Sequence, residues 1–74
     1  MTTWLIRQTK PATDKMVLYG EETQILTDIR ELESRVFRFA CRYGFRNSAW
    51  AEKTAEIIRE EAGGCRVELI GFEL

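Results

Sequence analysis

Four arginines, Arg35, Arg38, Arg42 and Arg46, follow one another at intervals of 3, 4 and 4 residues, with no acid between Ser34 and Ala51. That spacing lines guanidinium groups along one flank of a helix and the turn after it, where their forked N–H donors suit carboxylate or phosphate. A second column is acidic: Glu52, Glu56 and Glu60 recur every four residues, with Glu61 beside them. Like charges at that interval cost roughly 0.2–0.5 kcal/mol per pair in an isolated helix. Glu60 and Glu61 also stand at the end where the helix dipole is already negative. Helix stability alone does not explain this placement. The column either pairs with the arginines inside the chain or is offered to something outside it. Two large apolar residues, Phe37 and Trp50, are candidate anchors for a partner. Phe37 lies off the main apolar stripe of its helix and Trp50 sits at a helix start, where a core position is the simpler use.

Catalytic chemistry finds little to work with. Histidine is absent, which removes imidazole bases, histidine metal ligands and a histidine pH switch. Cys41, Cys65, Ser34 and Ser48 have no base or nucleophile elbow in their sequence surroundings. Gly63-Gly64-Cys65 follows a helix, whereas phosphate-cradling loops precede one. Cys41 and Cys65 are 24 residues apart without Cys-x-x-Cys spacing, and read as reduced, packed thiols. The expectation is a non-enzyme with no metal and no cofactor.

Ala40, Gly44 and Trp50 fit the outline of a DNA-reading helix-turn-helix. The second helix would then be the reader, and its exposed face is mostly glutamate, which phosphates repel. The preferred reading is a non-catalytic domain that binds a protein partner as an inhibitor, adaptor or regulatory protein. Compact chains lacking catalytic groups are common among phage and mobile-element proteins that block host machinery, anti-CRISPR proteins included. The analogy rests on size and on absent chemistry alone. Two alternatives stand beside it: nucleic-acid or phosphate binding through the arginine stripe, and a structural homodimer joined through an open sheet face or edge strand.

The elements that must position these residues are legible from periodicity. Thr3 to Gln8 reads as a strand, Thr9 to Asp14 with the only proline, Pro11, as a loop, and Met16 to Tyr19 as a second strand. After a Gly20-Glu21-Glu22 turn, Thr23 to Thr27 reads either as a third strand or, at Ile25 and Leu26, as the first turn of a helix. Ile25, Ile29, Leu32, Val36, Phe39 and Tyr43 form a helical stripe. Asp28 and Glu31 suggest a capping box at its start, and Gly44 is expected to end it in a left-handed C′ position with Phe45 folding back. Asn47 or Ser48 caps a second helix, which runs to about Ala62 with Ala51, Ala55, Ile58 and Ala62 inward. Cys65 to Leu74 is the last strand, and its phase shift at Phe72 and Leu74 suggests a bulge at Gly71. These elements predict one α+β domain over residues 1–74, a two-layer sandwich of order β-β-(β)-α-α-β. An antiparallel helical hairpin would lie on one face of a small, mainly antiparallel sheet. One helical layer covers one sheet face, which would leave some of Phe37, Cys41, Leu5, Met16, Leu18 and Ile70 outward.

Seventy-four residues with 45% hydrophobic and 31% charged composition suit one core and no more. No apolar run is long enough to span a bilayer. Met1-Thr2-Thr3-Trp4 lacks the basic and apolar regions of a signal peptide, so the expected location is cytoplasmic. The net charge of −1 argues against a polyelectrolyte binder, yet it conceals segregation. Residues 34–51 carry only positive charges, and the segments on either side are net acidic.

Overall fold

The computed structural model describes residues 1–12, 15–27 and 33–74. β1 (Thr2–Thr9) runs through the middle of an antiparallel sheet, paired with β2 (Met16–Tyr19) on one side and β4 (Arg66–Glu73) on the other. β3 (Ile25–Thr27) completes the order β3-β2-β1-β4. A 3-10 turn over Glu21–Thr23 separates β2 from β3, so Ile25 and Leu26 belong to a strand and not to the helical stripe. α1 (Glu33–Tyr43) and α2 (Ser48–Glu61) complete the expected α+β order. Ile29, Leu32 and the Asp28–Glu31 capping box lie outside the described residues.

The helices do not share a face. Neighbouring residues of a strand point to opposite sides of a sheet. Leu5 packs with Leu18 and Ala40, joined by Val36 and Phe39 of α1 and by Ile70 and Phe72 of β4. Ile6 packs instead with Phe45, Val67, and Ala51 and Ala55 of α2. The sheet is therefore the middle of three layers, and the expected hairpin on one face is corrected. Of the apolar residues considered for an outward face, Leu5, Leu18 and Ile70 lie beneath α1.

The reason for the crossing is visible between the helices. β2 pairs with β1 only over Ile6 to Thr9, leaving the first half of β1 with unpaired backbone groups on that side. Phe45 fills the gap: Trp4 N–H donates to Phe45 O at 2.9 Å and Phe45 N–H donates to Trp4 O at 2.8 Å. The chain thus passes from one face to the other at the sheet's own level. Phe45 does not fold back onto α1; its ring enters the core beneath α2.

Gly44 is needed for closeness, not for left-handed backbone. A Cβ there would lie 1.9 Å from Thr3 Oγ1 and 2.5 Å from Ala40 O. Among the described glycines the left-handed conformation belongs to Gly64, at φ 86, in the turn between α2 and β4. No bulge occurs at Gly71, because the β1–β4 register is unbroken from Thr2↔Glu73 to Thr9↔Arg66. The apolar phase of β4 changes because both of its faces are covered. Val67 and Leu69 meet α2, while Ile70 and Phe72 meet α1.

Candidate functional site

α2 lies close to the sheet because its inward residues are small: Ala51 and Ala55 are fully buried, with Ile58 packed beside them. Asn47 starts the helix by accepting a hydrogen bond at Oδ1 from Trp50 N–H, 3.1 Å away. The cap also fixes where Trp50 emerges. α2 contacts β1 and β4, so the same face over β2 and β3 is left open. There Trp50 overhangs a groove of about 380 Å³ lined by Tyr19, Ile25, Phe45, Thr54 and Ile58, with Gly20 and Glu22 at its end. Trp50 is 59% exposed and Ile25 53%, which decides between the two uses of this tryptophan: it is not spent on the core. Groove-lining Tyr19 donates its hydroxyl hydrogen bond to Gln8 Oε1. Burial, aided by the neighbouring Cys65 and Glu61 groups, raises its pKa above the ordinary 10.0.

Glu22 also lines a second, mixed-charge groove of about 260 Å³, shared with Glu21, Gln24, Arg42, Tyr43 and Arg46. Its backbone is left-handed, at φ 57 and ψ 42, a conformation that costs an ordinary L-residue roughly 1–2 kcal/mol.

All four stripe arginines are exposed. Arg42 stacks over the Tyr43 ring at 5.5 Å. Arg46 turns back and donates to Cys41 O at 3.1 Å, satisfying a carbonyl at the end of α1, and also contacts Met1 Sδ. Arg35, Arg38 and Arg42 lie exposed along the outer side of α1. Glu52, Glu56 and Glu60 are exposed on α2, across the sheet. Ion pairs among the described residues include Arg7–Glu68 at 3.0 Å and Arg66–Glu68 at 2.9 Å, and neither involves Glu52, Glu56 or Glu60. Stripe and column therefore do not neutralise one another within the chain. Phe37 is 43% exposed and sets its ring edge-on to Phe72 at a centroid distance of 6.3 Å, which ties α1 to β4. Among the described residues Trp50 has no such ring partner.

No family model, curated protein or solved structure matches the chain. Among the described residues no cluster of three or more Cys, Asp or Glu is placed to hold a metal, and no helix is long and apolar enough to cross a membrane. Cys41 and Cys65 are free thiols, each partly buried.

Sequence reading singled out Trp50 but missed the residues that make its groove. Tyr19 and Ile25 are far from it in the chain, and their strands' apolar side chains on both faces were the available signal. The free edge of β4 was missed for a related reason, since strand order is a property of pairing and not of pattern.

Proposed function

We propose that the chain is a non-catalytic protein-binding domain, an inhibitor, adaptor or regulatory protein, which receives a partner's side chain in the groove beside Trp50. The exposed Trp50 at an apolar groove supports this reading most directly. A large aromatic next to a desolvated pocket is the usual centre of a protein-binding hot spot, and Ile25 extends the apolar contact. The free thiols favour a reducing, cytoplasmic setting. To test the reading, proteins captured from extract of the source cell are compared on wild-type, Trp50→Ala and Glu60→Gln baits. A defined set retained by wild type and Glu60→Gln but lost with Trp50→Ala is expected. The same set on all three baits rules out the groove as the contact.

A second reading is favoured by the separation of the charges. With the acidic column across the sheet, the exposed Arg38 and Arg42 present positive charge on the outer side of α1, which suits phosphate. Binding to a random oligonucleotide should then weaken steeply with salt, with a shallower log–log slope for Arg38→Ala/Arg42→Ala. Absence of binding at low salt removes this reading.

A further inference from the structure

β4 is an edge strand, and its alternation shows what the edge offers. Leu74 N–H donates to Met1 O at 2.8 Å, and the uniform register with β1 carries that direction back through Phe72, Ile70, Glu68 and Arg66. Backbone groups alternate sides along a strand, so those of Val67, Leu69, Gly71 and Glu73 point away from the sheet. Val67 O is occupied by Arg59 Nη2 at 3.2 Å. Among the described residues the outward groups from Leu69 to Glu73 have no partner in the chain. Natural edges are usually blunted by proline, a bulge or inward charge. This stretch has no proline and no bulge.

The surroundings of the edge are acidic. On the α2 side a shallow pocket of about 230 Å³ is lined by Glu52, Ala55, Glu56, Arg59 and Leu69. Glu52 and Glu56 are exposed there without an ion pair among the described residues, whereas Arg59 is held against Val67 O. Glu73, on the same face, accepts a 2.8 Å hydrogen bond from Thr2 Oγ1. The nearby cation Arg66 is directed to Glu68, at 2.9 Å. A second copy fits poorly. Antiparallel pairing of β4 with itself requires a two-fold axis normal to the sheet, which places both α2 helices on one face with their acidic flanks side by side.

We propose that the β4 edge binds an extended, basic segment of a partner protein, which adds as a fifth strand. The outward groups of Leu69, Gly71 and Glu73 pair with its main chain, and Glu52 and Glu56 meet its lysine or arginine side chains. The inference rests on the protein-binding reading but uses a surface separate from the Trp50 groove.

The test follows amide shifts of labelled protein titrated with two synthetic peptides, one alternating lysine and valine, the other glutamate and valine. The lysine peptide is expected to shift and protect the Leu69, Gly71 and Glu73 amides while the Trp50 indole signal stays in place. Gly71→Pro removes an outward N–H, which edge strands tolerate, and sets a Cβ 3.3 Å from Trp4 Nε1; with an unchanged urea midpoint showing that the indole has given way, it should weaken binding at least tenfold. Glu52→Lys/Glu56→Lys, on exposed positions that leave the fold alone, should reverse the peptide preference. Equal affinity of that variant for both peptides overturns the charge assignment. Shifts at Ile25 and Trp50 in place of β4 overturn the edge while upholding the groove. Concentration-dependent β4 shifts without peptide, abolished by Gly71→Pro, overturn it in favour of a second copy. No shift with either peptide overturns the edge alone, because Trp50-dependent capture is read separately.

Discussion

At Gly44 the backbone passes so close to Thr3 that a methyl group has nowhere to go, with Thr3 Oγ1 only 1.9 Å from where a Cβ would stand. Gly44→Ala should destabilise the chain by about 1–3 kcal/mol or more, the range for overpacking, measured as a lowered urea midpoint. Thr3 itself is fully buried and donates to Ala40 O at 3.2 Å, with Phe45 O at 3.4 Å. Thr3→Val keeps the shape and loses the donor, for an expected cost of about 1 kcal/mol. Tyr19 carries a pH prediction. Its folded pKa is raised, first by burial and then by Cys65 and Glu61, so above the ordinary value the unfolded chain releases a proton that the folded chain retains. Stability is then unaffected by Tyr19 below about pH 10 and falls as pH rises through the folded pKa. Alkaline unfolding curves should show that slope in the wild type and a reduced one in Tyr19→Phe.

Among the elements, α2 depends most clearly on a single local interaction. Asn47→Ala removes the Oδ1 acceptor of Trp50 N–H and should cost about 1 kcal/mol, read by denaturant titration. The same change frays the turn that presents Trp50, so partner capture should weaken along with stability. α2 was legible in sequence because cap, stripe and Gly63-Gly64 stop are all local. β2 was legible for the same reason, bounded by turn residues on both sides. The third strand was ambiguous because Ile25 and Leu26 are apolar enough for either element. Pairing with Tyr19 and Leu18 settles it, and no nearby residue encodes that pairing. At Gly44 the residue type was informative and the assigned reason was not, since glycine serves close approach as well as left-handed turns.

For the molecule as a whole, the placement of charge is decided by which face each helix covers. With α1 and α2 on opposite sides of the sheet, the arginine band and glutamate column face away from each other. A double-mutant cycle on Arg42 and Glu56 should therefore give a coupling within about 0.5 kcal/mol of zero, as for distant independent sites. A coupling well above that would mean the two helices approach one another in solution. The small net charge of −1 is a sum over opposed faces, so the molecule can present a basic surface to one neighbour and an acidic one to another.

Every element but the third strand, and both charge columns, are encoded locally, because helix and strand periodicity, caps and turn residues act within a few positions of one another. The sequence by itself also determined the lack of histidine chemistry, which is a matter of composition. Long-range pairing and packing set the rest: the sheet is covered on both sides, Trp50 overhangs a groove and β4 has a free edge. The physical reason lies in Trp4 and Phe45. Two backbone hydrogen bonds formed across some forty residues of chain carry the connection from one face of the sheet to the other, and local pattern contains no record of that choice.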